Sequence, residues 1–273
     1  MGPKTMSSSA TKRRRGFTLV EMLVVVGIIA VLLSIALPVS ISAYKKSLRT
    51  RMALDLQTIG NALEAYKADF RDYPRLGTTA PQPTGAALLC WALVGPGPAT
   101  QDGVDSFGFN IRPGGQKYGP YIQIDQFKIS NTLVPPASPP APLDDTTATL
   151  NDHYNHPILY FPANVGADIT KSPAPPSGGT PAHGFVAKTP GCYYNPDLNI
   201  KFTFDVGAPG SNANFTKAMR TLLGDVNNNG YIDGTETANY KGPYLLWMAG
   251  PDEVYGYNGT GNNSKLDDVT NIP

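Results

Sequence analysis

A predominantly apolar run from Phe17 to Leu37 carries a single carboxylate, Glu21, near its start. As a helix its about 21 residues would rise roughly 31 Å, which matches a hydrocarbon core of about 30 Å. An acid inside such a span is costly and is a functional-site hypothesis by default. The tetrabasic block Lys12-Arg13-Arg14-Arg15 lies immediately before the run, on the side that positive charge marks as cytoplasmic. The remainder is therefore expected outside the cytoplasm. An ordinary secretory signal fits poorly, because its apolar core is only about 7 to 15 residues long and ends at a small-residue cleavage site. No Ala-x-Ala site ends this run before Pro38.

After Pro38 the continuous apolar pattern becomes a stripe. Leu48, Met52, Leu56, Ile59, Leu63, Tyr66 and Phe70 recur every three or four positions, which places them on one helical face. One helix is expected from near Thr18 to about Phe70, kinked at Pro38 where the amide donor is missing. Tyr73-Pro74 ends it. The fold class that follows is α+β: a long N-terminal helix, membrane-spanning in its first half and amphipathic in its second, packed on a small antiparallel β-sheet head with long Pro/Gly-rich loops. Tyr121–Ile124, Ile158–Phe161, Ile200–Phe204 and Tyr244–Ala249 read as strands, and Thr216–Leu223 as a short helix. Residues 135–142 and 172–181 read as loops.

The stretch Asp225–Glu236 fits a twelve-residue calcium loop position by position. Asp225, Asn227, Asn229 and Asp233 fill the first, third, fifth and ninth places. Gly230 takes the sixth, and Tyr231 would offer its carbonyl at the seventh. Ile232 is the branched apolar eighth residue, and Glu236 closes the loop. Calcium is a hard cation that takes six to eight oxygens, and this spacing curls oxygens round one point. The flanks do not read as two helices, so the pattern is EF-hand-like or dockerin-like rather than a helix pair. The competing reading is an Asx-rich turn without metal.

Catalysis finds no support. No Gly-x-Ser-x-Gly elbow, phosphate loop or paired-cysteine metal motif occurs, and the His153/His156 pair beside Asp152 has no third ligand in sequence. The net charge of +1 conceals a basic start. Without Lys4 and the tetrabasic block the chain holds 17 basic and 21 acidic residues, no profile for a nucleic-acid binder. Cys90 and Cys192 stand far apart. An exported compartment permits their disulfide, and sequence alone leaves the pairing open.

Arg15-Gly16-Phe17-Thr18-Leu19-Val20-Glu21 followed by an apolar helix resembles the prepilin signature of type IV pilins and type II secretion pseudopilins. The likeness continues to about Pro74, most similar there to the major pseudopilin. Asp152–Tyr160 is similar to that subgroup's Asp-x-Trp-Gly-Asn-Pro-x-x-Tyr stretch, with Tyr154 for Trp, Asn155 for Gly and His156 for Asn. The resemblance implies a leader of residues 1–16, cut after Gly16 by a prepilin peptidase that N-methylates Phe17. It implies a fibre-core helix over 17–37, an amphipathic helix over 38–72 and a head over 73–273. Glu21 becomes the assembly residue of a helical homo-oligomer built on an inner-membrane assembly platform. The chain is then single-pass in the inner membrane, its head periplasmic, or extracellular when assembled. Ala249–Asp252 and Asp267–Val269 look like the subgroup's calcium loop, which implies Asp252, Asp267 and Asp268 as ligands of a second ion, or of one shared with the first loop. Two further readings stay open: a type IV minor pilin or adhesin-like fibre subunit, and a singly anchored calcium-binding surface protein.

Overall fold

The computed structural model describes residues 18–76, 83–96, 107–110, 115–131, 147–173, 183–188, 191–203, 211–256 and 266–273. The elements run α1 (Leu19–Phe70), α2 (Gly85–Val94), β1 (Phe109–Asn110), β2 (Lys117–Tyr118), β3 (Lys128–Ser130), β4 (Thr149–Asn151), β5 (Leu159–Pro162), α3 (Ile200–Thr203), α4 (Ala213–Leu223), β6 (Tyr244–Met248) and β7 (Val269–Thr270). This is an α+β chain. It divides into two units, Met1–Ser47 and Leu48–Pro273.

In the first unit the described residues are Thr18 and the opening turns of α1. Every side chain from Leu19 to Tyr44 is exposed. The segment is long and apolar enough to cross a membrane, by length and composition. Apolar on all sides and uncovered, it needs lipid or other helices as its surroundings. The helix passes through Pro38 without a break.

In the second unit α1 buries Leu48, Met52, Leu56, Ile59, Leu63 and Tyr66 of the expected stripe, with Ala62 added, while Phe70 at its end is only partly buried. Arg71 enters the left-handed region at φ +63° and its N–H donates to the Lys67 carbonyl, which closes the helix. A three-stranded antiparallel sheet has β6 at its centre, with β5 and β7 on either side. Leu159 faces Trp247, Phe161 faces Leu245 and Met248 faces Val269. Because side chains alternate along a strand, the sheet feeds two cores. Tyr160, Tyr244, Leu246 and Met248 join α1 and α2 in one. Leu159, Phe161, Leu245 and Trp247 join Phe215, Met219 and Leu223 of α4 in the other. Two short antiparallel pairs, β1–β2 and β3–β4, complete the strands described.

Three elements differ from the sequence expectation. α2 was not anticipated: it is apolar all round and nearly wholly buried, so no stripe announces it. Asn199 holds its first turn, accepting from Ala86 N at 2.9 Å and donating to the Tyr160 carbonyl at 3.0 Å. Ile200–Thr203 is helical rather than a strand; Phe204 lies outside the described residues. The Asn195 side chain caps a 3-10 turn over Pro196–Asn199 that feeds directly into it, and this local start signal overrides the β-branched and aromatic residues behind it. Tyr121–Ile124 is not a strand either, since Ile124 opens a 3-10 turn between β2 and β3. The loop at 135–142 lies outside the described residues, as does 172–181 after Pro173.

Candidate functional site

Three places carry the chemistry anticipated from the sequence. The first is the start of α1. Gly16 and Phe17 lie outside the described residues. Glu21 Oε2 accepts from both the backbone N–H and the hydroxyl of Thr18, each at 2.8 Å, while Glu21 N donates to Thr18 Oγ1 at 3.2 Å. Thr18 and Glu21 thus form a reciprocal capping box, satisfying amides that the helix leaves without partners. Thr18-Leu19-Val20-Glu21 spells the Thr-x-x-Glu signal in sequence, and Thr18 is the residue that the sequence reading missed.

The second place is the Asp225–Glu236 loop, which follows α4 directly. Gly224 ends that helix in the left-handed region. Asp225 is fully buried; its carboxylate accepts from Asn229 N at 3.1 Å and Gly230 N at 2.7 Å, and lies 3.7 Å from Arg220 Nε. Burial raises its pKa against those hydrogen bonds. The Asp233 carboxylate receives the side-chain amides of Asn227 at 3.0 Å and Asn229 at 2.8 Å. Glu236 reaches back to Asn227 N at 2.8 Å. All five residues are therefore linked around one loop, through side chains and backbone amides. Gly230 has φ +95°, a conformation that β-carbon-bearing residues rarely adopt, and this permits the turn at the sixth position. The donor set is all oxygen, with three carboxylates and two amides, and so suits a hard cation.

The third place is the C-terminal cluster. Asp252, Asp267 and Asp268 each bring a carboxylate oxygen within 4.8 Å of the others. None of the 225–236 carboxylates joins that group, so the two loops are separate candidate sites. Gly250 lets the 267–268 backbone approach: a β-carbon there would lie 2.4 Å from the Asp267 carbonyl oxygen. Asp268 Oδ2 accepts from Trp247 Nε1 at 2.5 Å and from Gly256 N at 2.6 Å. Its Oδ1 is buried without a hydrogen-bond partner. Burial, reinforced by Asp252 and Asp267, outweighs the two donors and pushes the Asp268 pKa up to about 8. Clustered carboxylates and one orphaned buried oxygen fit a divalent cation.

Other candidate residues play structural parts. Cys90 and Cys192 are both free and buried. Cys90 lies on α2 and packs in the core, while the single S–H of Cys192 is shared between the Ala187 and Tyr194 carbonyls, 2.9 and 3.1 Å away, so the structure does not join them. The Asp152 carboxylate anchors a turn, accepting from Tyr154 N at 2.9 Å and His156 N at 2.8 Å. Asn155 occupies the left-handed region there, φ +72°. Asn tolerates that conformation better than other residues with a side chain, which accounts for Asn where the resembled motif has Gly. His153 and His156 gather no third metal ligand among the described residues.

Comparison with known proteins bears on the first of these places. A family model described as the prokaryotic N-terminal methylation motif matches residues 11–37. The chain is 40% identical over 65 residues to the type II secretion system core protein G of Escherichia coli (strain K12), a match covering 24% of this chain and 45% of that protein. The core protein G of Klebsiella pneumoniae is 40% identical over 63 residues, covering 23% and 45%. That of Pectobacterium carotovorum subsp. carotovorum is 39% identical over 62, covering 23% and 40%. The chain thus spans less than half the length of the relatives it matches. No solved structure matches it significantly. In its N-terminal part the chain carries the prepilin methylation motif and is similar to the major pseudopilin of type II secretion systems.

Proposed function

We propose that the chain is a structural, non-catalytic subunit of a type II secretion pseudopilus. Leader removal after Gly16 and N-methylation of Phe17 by a prepilin peptidase yield the mature subunit. It sits in the inner membrane with its head in the periplasm until an assembly platform adds it to the fibre. The observation that carries this reading is the methylation motif at 11–37 running directly into α1, an apolar helix without cover of its own. Glu21 of an incoming subunit pairs with the α-ammonium of a neighbouring Phe17. That pairing offsets the desolvation of both charges in a low-dielectric bundle. In the free chain Thr18 holds the same carboxylate. The head is stabilised by calcium, at Asp225–Glu236 and at Asp252, Asp267 and Asp268; the bound ion would neutralise each set of carboxylates and fix its loop.

The N-terminal mass of the membrane-extracted protein tests the processing step. The expected species begins at N-methylated Phe17, and an intact residue 1–16 segment would overturn it. Glu21→Gln tests the charge itself. A capping box accepts Glu or Gln alike, so the helix start survives while the anion is gone. Sheared fractions of the Gln variant should lack filaments. Wild-type filament yield would reduce Glu21 to a cap. The size of the head favours one alternative, an adhesin-like minor pilin, because the same matched stretch is 24% of this chain and 45% of its relative. Electron microscopy of sheared material separates short pseudopili from long surface fibres.

A further inference from the structure

The C-terminal carboxylates have a cationic neighbour of their own. Arg49, in the amphipathic half of α1, brings a guanidinium nitrogen to 3.6 Å from Asp267 Oδ2. The Arg49 side chain is 49% exposed and that of Asp267 only 15%. Arg49 therefore reaches from the surface of the helix into the cluster. The flanking Leu48 and Met52 are buried against the head, which fixes the height at which the guanidinium leaves the helix.

We propose that Arg49 is a built-in counter-ion of the Asp252/Asp267/Asp268 cluster, holding Asp267 when no divalent cation is present and competing with that cation when it arrives. The inference rests on the calcium reading given above. Three carboxylates within 4.8 Å of one another repel. An arginine stays protonated at any physiological pH, so it supplies fixed positive charge without an ion. A divalent cation at the same cluster would repel that charge at close range. The ion pair and cation occupancy therefore oppose each other. Before loading, Arg49 keeps the 266–273 segment, including strand β7, against α1. After loading, the ion takes over the carboxylates and the guanidinium is released to the helix surface. α1 and the C-terminal clamp are thereby coupled.

The test uses the full chain in detergent micelles. Trp247 donates to Asp268, so its emission in a Trp91→Phe background, with Asp233→Asn to silence the 225–236 loop in every variant, reads the C-terminal cluster. Calcium is titrated against this signal in the parent, Arg49→Gln, Arg49→Lys and Arg51→Gln. Arg49→Gln should bind calcium about two- to five-fold more tightly at about 0.1 M salt, the range of a partly exposed ion pair. The difference should vanish near 1 M salt, where the Debye length falls to about 3 Å. Arg49→Lys and Arg51→Gln should match the parent. In chelator, Arg49→Gln should exchange its 266–273 amides several-fold faster. Unchanged or weaker calcium binding by Arg49→Gln, in a parent that binds, overturns the competition alone. Absence of calcium binding in every variant overturns the calcium reading, and the competition falls with it.

Discussion

Asp268 gives the sharpest physical forecast for the head. An unfolded aspartate titrates near 3.8, whereas burial among two other carboxylates holds this one near 8 in the folded chain. Between those values the folded state carries a proton that the unfolded state has released. Stability must therefore fall as pH rises through this window, by at most about 1.4 kcal/mol per pH unit. Below about pH 4 both states are protonated, and above about pH 8 both are ionised, so the loss is confined between them. Its ceiling is on the order of 5 kcal/mol, a large part of a typical total of about 5–15. Calcium binds the ionised cluster, so the stabilisation it gives through this cluster should be small at pH 5 and grow towards pH 8. Calcium at a hundred times its Kd would restore about 2.7 kcal/mol. Urea denaturation of the detergent-solubilised chain at pH 5, 6, 7 and 8, with chelator or with calcium, measures all of this. Asp268→Asn keeps an acceptor for Trp247 and Gly256 but cannot ionise. In chelator it should fall less steeply than the parent across the window and be more stable than the parent at pH 8, and added calcium should stabilise it less than the parent. A flat parent profile in chelator, or an equally steep fall in Asp268→Asn, would refute the reasoning.

Two substitutions test the frame that carries these sites. Asn199→Ala leaves the buried Ala86 N–H and Tyr160 carbonyl without partners; at about 1–3 kcal/mol for each unsatisfied group, denaturation should show a loss of about 2–6 kcal/mol. Asn155 sits at φ +72°, so Asn155→Gly should be neutral or slightly stabilising. Asn155→Val should lose about 1–2 kcal/mol in the same assay, the penalty for a side-chain-bearing residue in left-handed backbone.

What could be read from the sequence divides along physical lines. The stripe from Leu48 to Tyr66 was legible because one helix face repeats every three or four residues regardless of what it packs against. The Asp225–Glu236 pattern was legible because loop ligands are adjacent in sequence. α2 was hidden by its own burial: apolar on every side, it has no period to detect. Ile200–Thr203 was misread because strand propensity describes a half-buried pleated surface, and a capped 3-10 turn upstream decided the backbone first. Arg49 beside Asp267 could not be seen at all, since the two are more than two hundred positions apart and nothing local ties them.

Among the described residues of the head, the strands are only two to five residues long. Short strands leave many backbone groups outside the sheets, and each needs another partner. Part of that work falls to the 225–236 loop and to Arg220 beside it. The Gly230 carbonyl accepts from Phe185 N at 2.7 Å, and Ile232 N donates to the Ile169 carbonyl at 2.8 Å. Arg220 donates to the Val186 carbonyl at 2.8 Å and the Asn228 carbonyl at 2.7 Å. Segments 168–173 and 183–188, which contribute no strand of their own, pair with each other through Gly184 N and the Asp168 carbonyl and are both tied to the backbone of one acidic loop. Any ion that rigidifies that loop also rigidifies the segments hung from it. Such a loop does for irregular chain what a further strand would do for a sheet.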